Sequence, residues 1–431
     1  MKRIILSSIL SLLAASCLPQ DVRVPQSPLL PMLERKSGLI AYIGLDGNMY
    51  VSDQAGGNIL QLTKDATLAQ DQAGARYYQY PTWSPDGSQV AFVGLSIDEG
   101  QTASSLLVAN VDEESVKEVY ASQSEHAFYL YWSPVNATVS FLSTTATGQN
   151  NLLQSIPAGG GERTIIDEGA PYYWSWAPDG RMMIIHTGSL RSTTPDHLAF
   201  LQLDPETIES AVDSPPASFQ APAWSPDGTR IALARVTDDE NQIVVSDSAG
   251  ENPDKIGTFT GKTAFAWSRD SRKLAYLDGV QTSGAGTVGA LHVFDFETSE
   301  EIVEDQNIAA FFWSPDSEEI AYFILAQAED SGNDSSGENT VRYVLELKIL
   351  DVLNGESRKL FQYYPTDAFL NVLPYFDQYH QSATIWSPDN NNLVLSFLDQ
   401  EGNPGIAIVA ASGQLEPRLL ADGYIAFWSW K

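Results

Sequence analysis

Trp83-Ser-Pro-Asp-Gly87 decides how this chain is read, because the phrase comes back. It returns as Trp132-Ser-Pro-Val-Asn136, Trp176-Ala-Pro-Asp-Gly180, Trp224-Ser-Pro-Asp-Gly228, Trp267-Ser-Arg-Asp-Ser271, Trp313-Ser-Pro-Asp-Ser317, Trp386-Ser-Pro-Asp-Asn390 and Trp428-Ser-Trp-Lys431. Successive tryptophans stand 49, 44, 48, 43, 46, 73 and 42 residues apart. A period of about 40–50 residues marks a stack of small supersecondary units.

After each copy comes an apolar alternating run, such as Gln89-Val-Ala-Phe-Val93 or Arg230-Ile-Ala-Leu-Ala234. A second run ends in a polar turn, as in Met49-Tyr-Val-Ser-Asp53, Ile243-Val-Val-Ser-Asp247 and Leu291-His-Val-Phe-Asp295. A third, such as Asn58-Ile-Leu-Gln-Leu-Thr63, leads towards the next copy. With the aromatic stretch before each tryptophan, that makes four short strands per repeat. Such units cover one another's faces when arranged radially, so the expected class is all-β, an eight-bladed β-propeller of four-stranded antiparallel blades. Residues 38–63 supply three strands without a first, and residues 424–430 a first strand without the rest. The C-terminal strand is therefore expected to pair with the N-terminal blade and close the ring. Seven blades is the alternative, if one degenerate copy builds none.

The motif followed by an Ile-Ala-Phe type of strand resembles the TolB-like propeller repeat. Similar repeats occur in the propeller domains of prolyl oligopeptidases and in oligogalacturonate lyases. The resemblance covers residues 38–431 and implies the fold, not one function, since propellers host many unrelated sites. TolB itself has an additional N-terminal α/β domain and fewer blades, so its partners are not carried over.

Residues 1–17 read as an export signal: Lys2-Arg3, an apolar run from Ile4 to Leu13, then Ala14-Ala-Ser-Cys17. Small residues before a cysteine resemble the bacterial lipobox, and Cys17 is the only cysteine in the chain. Cys17 is thus the expected lipidation site. Residues 18–37, with Pro19, Pro25, Pro28 and Pro31, form a semi-extended tether, and 38–431 the propeller. The expected location is extracytoplasmic, with membrane contact only through the lipid. A formal net charge of −31 excludes nucleic acid as a partner.

No Gly-x-Ser-x-Gly elbow is present, and Gly159-Gly-Gly161 reads as a hairpin turn, not a phosphate loop. The motif aspartates (Asp86, Asp179, Asp227, Asp270, Asp316, Asp389) sit in equivalent turns and are expected to stabilise them. His126, His186, His197 and His380 fall near loops of one face without metal-ligand spacing, so no metal and no cofactor is expected. The lyase branch of the resembling family uses a metal site with histidine, which implies the alternative.

The stronger signal is aromatic. Three residues before the motif tryptophan stand Tyr80, Tyr129 and Tyr173, then Ala221, Ala264, Ala310, Ala383 and Ile425. One step earlier, Phe128 and Tyr172 add to the same arc. That predicts a pocket with an aromatic wall formed by Tyr80, Phe128, Tyr129, Tyr172 and Tyr173. The 73-residue interval holds a polar insertion at 328–340 and an apolar one at 366–381, which Thr366-Asp367 can cap as a helix. Its Tyr375, Phe376, Asp377, Tyr379 and His380 are expected at the rim or across the channel mouth. The function expected is non-catalytic binding of a ligand or partner, an envelope protein, peptide or glycan. A glycan-active lyase or hydrolase using the same face, with Asp377, Glu304 and Asp305 as candidate acids, is the alternative. A scaffold subunit of an envelope complex is another.

Overall fold

The structure, a computed structural model, describes residues 36–67, 74–98, 100–135, 137–188, 197–204, 206–212, 216–217, 220–237, 240–282, 286–327 and 343–431. The export signal with Cys17, all but the last two residues of the tether and the polar insertion at 328–340 lie outside the described residues. Among those described, no helix is long and apolar enough to cross a membrane.

The chain is all-β, and every strand pairing is antiparallel to a neighbour close in sequence, with one exception described below. Alternation along a strand sends successive side chains to opposite faces. In the strand Gln89–Asp98, Val90 and Phe92 join an apolar cluster with Tyr78 and Trp83, whereas Ala91 and Val93 join another with Leu130, Trp132 and Phe141. Both faces are covered by adjoining sheets, so residues 90–94 are buried without a break and contain no polar-out position.

Four sheets are separate and four-stranded, spanning residues 75–122, 127–169, 172–211 and 223–259. The other thirteen strands form one hydrogen-bonded run. Three long strands cause this by pairing on two sides in succession: Glu301–Trp313, Glu356–Pro365 and Arg418–Trp428. The last is the exception in sequence distance. Its residues 418–422 pair with Pro404–Ala410, and 425–428 pair with Ile40–Gly44, placing Ile40 opposite Trp428 and Ile43 opposite Ile425.

The motif tryptophans staple neighbouring sheets. Each is large enough to fill the gap, and its indole N–H needs a partner once buried. Trp132 donates to Thr82 O (3.1 Å), Trp267 to Ala223 O (3.0 Å), Trp313 to Ala266 O (3.1 Å) and Trp386 to Phe312 O (2.9 Å). The acceptor is always the residue just before the preceding motif tryptophan. Trp83 follows the same rule across 344 positions, donating to Phe427 O at 3.2 Å. Trp176 reaches Ser140 Oγ (3.1 Å), which itself donates to Tyr131 O, so the link is relayed.

In the six copies that carry an aspartate, it braces the turn after the tryptophan. Asp86 Oδ1 accepts from Ser84 Oγ (2.7 Å) and Ser88 N (3.0 Å), and the bond from Ser84 holds this carboxyl below its usual range. Residues 225/227, 268/270, 314/316 and 387/389 repeat the serine–aspartate bond at 2.6–2.7 Å. The next residue has positive φ, which suits Gly87, Gly180 and Gly228. Ser271, Ser317 and Asn390 occupy that region too, and their side chains accept from the backbone N–H of Asp227, Asp270 and Asp316 in the preceding copy (3.0–3.1 Å). Strain in one turn is offset by a bond to its neighbour.

Candidate functional site

In the four separate sheets and at Phe265–Trp267 a strand running into a motif tryptophan is outermost in its sheet, with backbone N–H and C=O groups open on one side. The indole staples satisfy several of these carbonyls. Others are met by the insertion at 366–382, which folds into two short helices, α1 (Asp367–Leu370) and α2 (Phe376–Ser382), joined by a 3-10 turn at Leu373–Tyr375. Thr366 caps α1 by accepting from Phe369 N (3.3 Å), and its own hydroxyl donates to Tyr424 O (2.6 Å).

Helix α2 is a plug between the sheet edges. Gln378 pairs with Trp174 like a strand neighbour: Oε1 accepts from Trp174 N (3.0 Å) and Nε2 donates to Trp174 O (2.9 Å). Asp377 Oδ2 accepts from Ala221 N (3.0 Å), and Gln381 Nε2 reaches Pro222 O (3.4 Å). Thr82 Oγ1 donates to Ser382 O (2.6 Å), and Trp313 N approaches His380 Nε2 at 3.4 Å. Apolar contacts complete the seat, with Phe376 against Phe311 (4.8 Å between centroids). The plug therefore touches inner strands of at least five sheets, which explains its polar residues: they pair backbone that would otherwise be buried bare.

Below the plug lies a cavity of about 420 Å³. Its walls are motif residues: Trp83, Trp132, Trp176, Trp224 and Trp267, with Pro85, Pro134, Pro178 and Pro226 at the turns. Asp377, His380 and Gln381, at i, i+3 and i+4 of α2, form its floor together with Ser382. Arg269, Trp430 and Lys431 stand at the mouth on the turn side. Burial raises Asp377 to about 6, opposed by the backbone bonds from Ala221 and Gln378. Burial first, and the charge of Arg269 second, lower His380 to about 3. His380 is thus neutral and its Nε2 can accept.

Of the residues predicted from sequence, only Asp377 and His380 line this cavity. Tyr129 is buried above it; its hydroxyl donates to Gln378 O (2.8 Å), accepts from Gln378 Nε2 (3.1 Å) and lies 3.0 Å from Ser382 Oγ. Its ring meets Tyr379 edge-on at 5.0 Å. Tyr172 is buried and donates to Asp167 Oδ2 (2.7 Å), Phe128 packs on the same cluster, and Phe376 is buried beside Phe311. Tyr80, partly buried at φ 56° in a bulged strand, packs against a different cluster. Tyr173 and Tyr375 meet at 6.5 Å on the far side of the plug, where Tyr375 is 50% exposed. Among the described residues, no three His, Cys, Asp or Glu side chains converge on one point: His186 bonds Gln220 O and His197 bonds Glu209. Sequence reasoning missed Arg269, Trp430, Gln378 and Gln381. The first two were visible as the non-proline residues at a motif position where six copies carry proline.

No family model and no curated relative matches the chain. Solved structures do. An oligogalacturonate lyase in complex with manganese is similar over 88% of this chain and 98% of its own, at 14% identity and a TM-score of 0.50. The fold is that of a β-propeller. The propeller domain of the Trilobed protease from Pyrococcus furiosus (81% and 96% covered, 12% identity, TM-score 0.47) is also similar. So is TolB from Acinetobacter baumannii (80% and 84%, 12%, 0.35). At these identities the likeness concerns the fold alone.

Proposed function

We propose that this chain is an extracytoplasmic, eight-bladed propeller, tethered through lipid on Cys17, that binds a ligand or partner in its channel without a chemical step. The observation that carries the reading is the cavity. It is concave, lined mainly by apolar rings and offers a few converging polar groups, the usual composition of a binding pocket. Asp377 is the only carboxylate among its lining residues, whereas glycoside cleavage by paired carboxylates needs two. The insertion aromatics enter in two ways: Tyr129, Tyr172, Phe376 and Tyr379 fix the floor, and Tyr173 with Tyr375 offers a second contact surface at the opposite mouth.

Dividing the thirteen-stranded run at its three long strands gives four more units beside the four separate sheets, which supports eight blades. The bond from Trp83 to Phe427 O supports a closed ring. Anchoring rests on the Ala14-Ala-Ser-Cys17 sequence, and Cys17→Ser should move the protein from the membrane fraction to the soluble one.

The binding reading is tested by capture from envelope extract on the immobilised full chain. Pro226 is exposed at the cavity mouth, so Pro226→Trp should block the opening and abolish capture with little change in melting temperature. Capture retained by Pro226→Trp but lost in Tyr173→Ala with Tyr375→Ala would move the site to the opposite mouth. Capture retained by both would overturn the reading.

A further inference from the structure

At the third motif position six copies carry proline, and the two that do not are Arg269 and Trp430. These residues, 161 positions apart, meet: the Arg269 guanidinium lies over the Trp430 ring, 4.4 Å from its centroid, at the mouth of the cavity. Proline is absent at 269 for no reason of backbone, because no bond from the Arg269 N–H appears among the described residues, where the turn is otherwise fully bonded.

The charge of Arg269 is uncompensated. Among the described residues no carboxylate or carbonyl pairs with its guanidinium, although the chain has 55 acidic residues against 24 lysines and arginines. Two arginines of neighbouring turns are engaged: Arg230 reaches Ser271 O and Arg272 meets Glu297. Asp377, the only acid lining the cavity, has both oxygens committed to Ala221 N and Gln378 N. Burial lowers Arg269 to about 10, which leaves it charged at neutral pH. Stacking on Trp430 occupies a guanidinium face and leaves the in-plane N–H fork, the geometry that takes a carboxylate with two parallel bonds.

We propose that Arg269 anchors an anion site in the channel, and that its ligand carries a carboxylate on an apolar body that packs on the tryptophan and proline walls. This rests on the reading of the cavity as a binding site and names the class of ligand it takes.

Isothermal titration of the full chain with 4-phenylbutyrate and with its neutral amide, 4-phenylbutyramide, tests the site. The carboxylate should bind the wild type roughly tenfold or more tightly than the amide, as a charge-assisted bidentate pair implies. Arg269→Gln should bring the carboxylate down to the level of the amide and leave the amide unchanged. Arg269→Pro, which restores the residue of the other copies and so keeps the turn, should do the same and guards against a folding defect in the first variant. An unchanged carboxylate preference in both variants would overturn the anion site while leaving the cavity a binding site. Equal affinity of the two probes for the wild type, or binding of neither, would also overturn it; loss of capture in Pro226→Trp then judges the wider reading separately.

Discussion

The two ends of the channel are built from opposite materials. At one end the mouth is filled by α2, whose amides and carboxylate bond to backbone from several sheets and whose Ser382 carbonyl accepts from the Thr82 hydroxyl. At the other, prolines and tryptophans of the repeated turns leave an apolar opening where the Arg269 guanidinium stacks on Trp430. The open end is the product of the repeat; the closed end is the product of an insertion that occurs once. The repeat makes walls, and the departures from it, Arg269, Trp430 and 366–382, place chemistry on the axis.

Several experiments sharpen that contrast. Removing residues after Asp422 deletes the strand that pairs with Ile40–Gly44, together with Trp428 and the acceptor of Trp83. Melting temperature should fall by more than about 10 °C, since each buried aromatic lost costs about 3–5 kcal/mol. An unchanged melting curve would show that the C-terminal strand does not hold the ring.

At the closed end, Gln378→Ala strips Trp174 N and O of their partners and leaves a gap beneath Tyr129. Urea denaturation should show a loss of about 3–5 kcal/mol, from unmet buried groups plus the void. A loss below 1 kcal/mol would mean that water replaces the side chain and that α2 is a cover, not a keystone.

Asp377 gives the plug a pH signature. Its folded value, about 6, lies above the ordinary 3.8, so ionisation costs stability. The penalty is absent below about pH 4, develops between pH 4 and 6, and is full above that, reaching about 3 kcal/mol for a two-unit shift. Asp377→Asn should therefore gain on the wild type as pH rises through this window. Taking the difference between the two proteins removes the opposite contribution of His380, whose lowered value favours folding as pH rises from about 3 to its ordinary value of 6.5. A constant difference from pH 4 to 7 would refute the assignment.

The smallest effect belongs to the open end. Ser271→Gly relieves a positive φ and loses the bond to Asp227 N, so stability should change by less than about 0.5 kcal/mol. Ser271→Ala keeps the strain and loses the bond, and should cost about 1 kcal/mol. Equal effects of the two substitutions would show that the inter-turn bond contributes nothing.

Most of the fold was legible because the tryptophan interval, the alternating runs and the Pro-Asp-Gly turns all report local geometry, and each copy corroborates the others. The helix cap at Thr366 was legible for the same reason. The seat of α2 was not: Gln378 reads as an ordinary polar residue until the naked edge of Trp174 is placed beside it. Tyr129 and Tyr173 share a motif position, yet one is buried against Gln378 and Tyr379 of the plug and the other meets Tyr375 away from the cavity. Which mouth an insertion closes is set largely by contacts more than 150 residues distant in sequence, such as Gln378 with Trp174 and Asp377 with Ala221, and no periodicity encodes them. Arg269 could have been found by asking where the motif fails instead of where it holds.

The three strands that pair on both sides divide the molecule by cooperativity. Residues 75–259 form four sheets with no shared ladder, so each can open alone and exchange its amide hydrogens at its own rate. From residue 265 to the end of the chain, and back through 40–61, a continuous ladder ties thirteen strands together. Opening any one of them frees an edge of the next, and deuterium uptake there should be slower and more uniform. In solution, a molecule built on one repeat is expected to behave as four loose leaves bound to a single stiff spine.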